Sequence, residues 1–192
     1  MFADREEKDV FSQHGNALAI LTGVVDKQGA EELAKHLLTN SVLAPASIYF
    51  KYYLHQALIK ADLGNDYLKW LDKWRENIQM GLTTWAETSD LASTRSDCHA
   101  WGASPNIEFY RTILGIDSDA PAFSKVRIEP HLGKIIDIGG SIPHPQGSVS
   151  VNYKSENNKW SVRIELPGSV TGTLLWEGKV MALKGGVNQF TL

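Results

Sequence analysis

A single cysteine, Cys98, stands in a chain of 192 residues, so no internal disulfide braces it and the redox compartment is left open. No apolar run approaches the roughly 20 residues of a membrane-spanning helix. The opening Met-Phe-Ala-Asp-Arg-Glu-Glu-Lys is charged and lacks the apolar core of a signal peptide. The formal net charge is -3, and the basic residues form no stripe of the kind nucleic-acid binding requires. Also missing are a glycine-rich phosphate loop, a nucleophile elbow and a Cys-x-x-Cys pair. His131 and His144 have no partner at metal-ligand spacing, and Pro130-His131 and Pro143-His-Pro145 read as loop punctuation. Asp62 and Asp66 flank Gly64 without the further oxygen ligands of a calcium loop. Neither metal nor cofactor is expected.

What is present is a core-forming chain with a change of period. Hydrophobic residues make up 43%, ample for a packed interior, and the mass of 21.3 kDa suits one large or two small domains. Up to about residue 116 the apolar spacing is helical. Ala17, Leu18, Leu21, Val24 and Val25 form one stripe, and Leu33, Ala34, Leu37 and Leu38 a second. Phe50, Tyr53, Leu54, Ala57, Leu58 and Ala61 make a third, capped by Ser47; Tyr67, Trp70, Leu71, Trp74 and Ile78 make a fourth, capped by Asn65 or Asp66. A fifth helix is predicted over 101–114, with Pro105 near its start, Ile107, Tyr110 and Leu114 inward and Gly115 at its C-terminus.

After Phe123 the period becomes two. Val149, Val151 and Tyr153 alternate with polar residues, as do Trp160, Val162, Ile164 and Leu166. Asn157-Asn158 and Gly185-Gly186 are each read as a tight hairpin. The fold class is therefore α+β: about five helices over 1–120, then an antiparallel β-sandwich over 121–192. Five helices in sequence resemble part of a helical-hairpin array, whose open edge would associate with a second copy or another chain.

The chemistry concentrates in Gly81-Leu-Thr-Thr-Trp-Ala-Glu87 and Arg95-Ser-Asp-Cys-His-Ala-Trp101. Carboxylates beside tryptophans suit a sugar, which offers an apolar face and a rim of hydroxyls. Six tryptophans agree with that surplus. Glu87 reads as a general base that activates water, or as a solvated loop acid or helix cap. Asp97 reads as a sugar contact or as the N-cap of the next helix. His99 suits a sugar hydrogen bond or a structural one, and its neighbour Cys98 is a structural thiol before it is a nucleophile. Trp85 and Trp101 are candidate stacking platforms, whereas Trp70 and Trp74 lie on a core stripe. His14 and Asn16, beside Ser12, line a cleft or else cap the first helix in solvent. Asp4, Glu6, Glu7 and Asp9 read as a solvated helix start.

These two motifs, with Ile128-Glu-Pro-His-Leu-Gly133, resemble the C-terminal part of the α-L-rhamnosidases, glycoside hydrolases with an (α/α)6-barrel catalytic domain and an inverting, two-carboxylate mechanism. The resemblance runs over essentially the whole chain. It implies that Glu87, the glutamate of a Thr-Thr-x-x-Glu motif, is the general base. It makes His99 a contact of the rhamnose ring and Trp101 the aromatic beside it. An inverting enzyme sets base and acid roughly 6.5–9.5 Å apart, with a water between them. No second acidic motif accompanies Glu87, so the chain is expected to begin about seven helices into a twelve-helix barrel and to be inactive alone. A rhamnoside is the expected substrate, with nucleic acid and membrane excluded. The alternative expectation is a non-catalytic carbohydrate-binding or structural fragment.

Overall fold

Residues 1–7, 10–90 and 92–192 are described by a computed structural model. Asp9, read above as part of the charged leader, lies outside the described residues. Two compact units divide the chain, Met1–Pro105 and Asn106–Leu192.

In the first unit, helix α1 (Gln13–Thr22) starts where the Ser12 hydroxyl accepts the Gly15 amide and stops at Gly23, which takes the left-handed turn at φ 75°. Helix α2 (Lys27–Thr39) is capped by Asp26, whose carboxylate accepts the Gly29 amide at 2.8 Å. Helix α3 (Lys51–Leu58) completes a core built on Ala17, Ile20, Ala34, Leu37, Ala57 and Leu58. Alanines at three of those positions remove the bulk that would hold the helices apart. Ser47 does not cap α3 with its side chain; its carbonyl instead accepts the Lys51 amide at 2.9 Å.

The fourth stripe is not one helix. After α3 the chain widens into a π turn (Ile59–Leu63), in which Asp62 adopts φ 64°, then tightens into a 3-10 helix (Gly64–Trp70). Only then does helix α4 (Asp72–Gln79) begin. No side chain caps the 3-10 helix, and Asp66 pairs with Lys69 at 2.6 Å. Tyr67, Leu71 and Trp74 are buried, but Ile78 is exposed, because on α4 it is Asn77 that shares the inner face with Trp74. Tyr67, Trp70 and Trp74 surround the His55 ring, with centroids 5.4–5.6 Å away.

The fifth helix is likewise in pieces: a 3-10 turn (Ala100–Ala103), helix α5 (Ser104–Glu108) and a π turn (Phe109–Ile113). Leu114 is buried as expected, but Ile107 is 52% exposed and Tyr110 is exposed as well. The inward positions are Glu108, Thr112 and Ile113. Glu108 is buried because Arg111 and the Thr112 hydroxyl (2.6 Å) satisfy its carboxylate, a polar interior that apolar spacing does not reveal.

The second unit holds eight strands: β1 (Ile116–Ser118), β2 (Lys125–Ile128), β3 (Asp137–His144), β4 (Gly147–Glu156), β5 (Lys159–Leu166), β6 (Thr171–Trp176), β7 (Lys179–Leu183) and β8 (Gly186–Thr191). They form two sheets, ordered β1-β2-β6-β7 and β3-β4-β5-β8. Val126, Ile128, Leu174 and Trp176 from the first sheet share one core with Val149, Val151, Tyr153, Val162 and Ile164 from the second. That is a β-sandwich. It departs from a purely antiparallel one, because β2 and β6 run parallel, Val126 opposite Gly172.

Asn157 (φ 52°) and Asn158 (φ 59°) make the tight β4–β5 hairpin that the asparagine pair predicts. Gly185-Gly186 makes none. Strand β7 pairs with β6 and β8 with β5, so the glycines carry the chain from one sheet to the other. Gly115 (φ 76°) ends the helical stretch before β1. A Cβ there would overlap the Glu129–Pro130 backbone, so only glycine fits. Pro143 and His144 lie in strand rather than loop. Pro143 is tolerated because β3 is an edge strand. His144 accepts the Gln146 amide on Nδ1 (3.1 Å), so its Nε2 donates to the Phe123 carbonyl (2.8 Å).

Candidate active site

The two motifs fold into one paired loop within the first unit. The Glu87 amide donates to the Ser96 carbonyl and the His99 amide to the Trp85 carbonyl, each at 2.8 Å. The Thr84 hydroxyl donates to the backbone carbonyl of Asp97. A turn closes the far end, where the Thr88 hydroxyl donates to the Asp90 carbonyl (2.8 Å) and the Asp90 carboxylate accepts the Ala92 amide (3.1 Å). Ala86, fully buried, roots the loop. The Trp74 indole donates to the Gly102 carbonyl at 2.6 Å, and a Cβ on Gly102 would press on Trp85 at 2.8 Å.

Glu87 and Trp85 are half-buried on this frame, so the loop brings Trp85, Glu87, Asp97 and His99 into one short stretch of paired backbone. Arg95 binds both Glu87 oxygens, Nη2 to Oε1 and Nε to Oε2 at 3.3 Å. That guanidinium holds the Glu87 carboxyl below the usual glutamate range. Partial desolvation opposes the shift, and the charge of His99 adds to it. Glu87 is thus ionised through the neutral range, the state a base needs. Of its two simpler readings, the helix cap does not hold, because no helix starts at this position.

Asp97 is exposed and does not cap the 3-10 turn, which begins after His99 with no side-chain cap. Cys98 is an exposed free thiol. Trp101 is 63% exposed. One of its faces lies on Tyr49, with centroids 4.6 Å apart and planes at 29°, and His99 meets it edge-on at 5.8 Å. From Tyr49 a row of rings continues through Tyr53 (6.2 Å) and Phe50 (5.1 Å) to His14 (4.2 Å). His14 therefore joins the aromatic row. Asn16 does not: it is fully buried, accepting the Phe2 amide (2.7 Å) and donating to the Phe2 and Ser12 carbonyls (2.9 Å each). The Trp74 ring is core, as its stripe implies, while Trp70 is half-buried against the core.

Two residues escaped the sequence reading. Arg95 stands inside a quoted motif, yet a separation of eight residues says nothing until the loop is paired. Tyr49 precedes the third apolar stripe and carries no motif. Among the described residues, no group of three or more His, Cys, Asp or Glu is placed to hold a metal ion.

Residues 115–190 match the family model described as the bacterial alpha-L-rhamnosidase C-terminal domain. The fold resembles that of native α-L-rhamnosidase from Aspergillus terreus, with a TM-score of 0.81 and 18% identity over 94% of this chain and 24% of that one. It also resembles a family GH78 rhamnosidase of Bacillus sp. GL1, with a TM-score of 0.80 and 24% identity over 93% of this chain and 20% of that one. A third similar structure is Streptomyces avermitilis α-L-rhamnosidase complexed with L-rhamnose, with a TM-score of 0.78 and 16% identity over 94% and 21%. This chain spans a quarter or less of the length of these three proteins. None of the curated proteins matches it.

Proposed function

We propose that this chain, whose residues 115–190 match the α-L-rhamnosidase C-terminal domain, is the base-bearing part of an inverting glycoside hydrolase that releases α-L-rhamnose. In this reading residues 1–120 are the last helices of an (α/α)6 barrel and 121–192 its C-terminal β-sandwich. Glu87 takes a proton from the water that attacks the anomeric carbon, on the face opposite the leaving group. His99 and Asp97 bind sugar hydroxyls, and Trp85 and Trp101 offer apolar faces to the ring. The general acid belongs to a segment other than these residues, so the chain by itself binds and does not turn over.

The observation that carries the reading is Glu87, gripped by Arg95 on a paired loop that also carries His99, with Trp101 against the His99 ring. L-rhamnose titrated into the isotope-labelled chain is expected to shift the amide signals of Glu87 and His99; no shift at millimolar sugar overturns the reading. The missing acid is tested separately. Hydrolysis of an aryl α-L-rhamnoside by the purified chain, lost in Glu87→Gln, would put the acid within these residues.

A second reading is a fragment that associates through its helical edge, favoured by exposed Leu38, Val42, Ile78 and Met80. Light scattering that shows a monomer at all concentrations counts against it.

A further inference from the structure

Arg95 opens the second motif, and its effect on the charge of Glu87 leaves its geometry unused. Its guanidinium reaches Glu87 through two donors, Nη2 to Oε1 and Nε to Oε2 at 3.3 Å. The Arg95 side chain is 84% exposed and that of Glu87 only 18%, so the guanidinium covers the carboxylate from the solvent side. The loop pairing that joins the Glu87 amide to Ser96 fixes the two residues opposite one another.

We propose that Arg95 is the positioning residue of this site: its two-point grip sets the plane of the Glu87 carboxylate and shields it until a ligand hydroxyl or water takes over one oxygen. This rests on reading Glu87 as the base. A base must present one lone pair in a fixed direction, and a glutamate turns freely about its last bonds unless something holds both oxygens. A guanidinium fork does this, whereas an ammonium supplies charge without fixing the plane. Because Arg95 is mostly in solvent, the ion pair gains little net free energy, so a ligand displaces it readily. The depressed proton affinity of Glu87 is the electrostatic counterpart of the same grip.

The test is carboxyl-carbon NMR of the full chain with labelled glutamate, titrated over acidic to neutral pH, in the wild type, Arg95→Gln and Arg95→Lys. In Arg95→Gln the Glu87 inflection is expected to rise by about half a pH unit or more, roughly a threefold gain in proton affinity. In Arg95→Lys part of the shift returns, but side-chain relaxation shows Glu87 mobile. An unchanged inflection and unchanged order in Arg95→Gln, with the Trp85 and His99 amide signals in place, overturns the proposal. Should those amides move and the loop collapse in Arg95→Gln, Arg95→Lys decides: wild-type order at Glu87 overturns it, and lost order supports it. Failure of the base reading looks different. L-rhamnose would then leave the Glu87 signal unmoved, while the arginine variants still release it.

Discussion

The two units of the chain are stabilised in different ways, and the difference explains where the site lies. The β unit buries Val149, Val151, Tyr153, Val162 and Ile164 in strict alternation, and the register of β4 on β5 keeps that alternation facing one core. Its most deeply buried polar side chain in the strands is partnered: the Tyr153 hydroxyl donates to the Leu114 carbonyl at 2.7 Å, and burial pushes its phenol well above the usual range. The helical unit packs alanines against leucines, yet breaks its helices into π and 3-10 turns and leaves Leu38, Ile78 and Met80 exposed. It also carries a buried histidine and a 16-residue loop, 84–99, held by backbone pairs and hydroxyls. Regular alternation makes a stable core. Irregular helices and a polar loop leave the candidate site's side chains partly or largely in solvent.

A firm β core is the largest expected effect. Ile164→Ala removes a fully buried side chain from the centre of the sandwich and is expected to cost about 2–5 kcal/mol by denaturant unfolding. A cost below about 1 kcal/mol would mean the sandwich is not the firmer unit.

Acidification sharpens the comparison from the other side. Burial, with Lys51 adding to it, pulls His55 down to about 3, so the folded chain keeps this ring neutral while the unfolded chain protonates it below its ordinary value of 6.5. A base whose folded pKa is depressed contributes fully above the unfolded pKa and loses that contribution as pH falls. Stability of the helical unit should therefore fall by up to about 1.4 kcal/mol per pH unit from pH 6.5 toward 3. Hydrogen exchange at α3 and α4 amides reads this directly; protection independent of pH in that window contradicts it.

The smallest effect on stability belongs to the site. Trp101→Ala should change unfolding free energy by about 0.5–1.5 kcal/mol, because most of the indole is in solvent and only its stack on Tyr49 is lost. In the proposed function it still weakens rhamnoside binding several-fold, measured by calorimetry. A large stability loss would make Trp101 a core residue and remove it from the site.

Much of this was legible in the residues. Alternation over Val149–Tyr153 and Trp160–Leu166 needs only a period of two, and Asn157-Asn158 needs only tolerance of positive φ, so strands and hairpin followed. The apolar stripes of α2 and α3 followed for the same local reason, Leu38 excepted, but that of α1 did not: Leu18 and Val24 are exposed, and Asn16, Ala17, Ala19 and Ile20 form the buried face. What failed was non-local. Gly185-Gly186 looks like a hairpin, but which sheet β8 joins depends on β5, some 20 residues away in sequence. The inward face of α5 and its π turn is polar, and Glu108 is buried only because Arg111 and Thr112 meet it.

The site divides along the same line. The sequence by itself determined that Glu87, Asp97, His99, Trp85 and Trp101 cluster within seventeen residues, because they are covalently near. Tertiary structure alone decided that Arg95 grips Glu87, that Tyr49 backs Trp101, and that Asn16 is buried rather than lining a cleft. Local chemistry is written in neighbouring residues. The direction a side chain faces is set by whatever the rest of the chain brings against it.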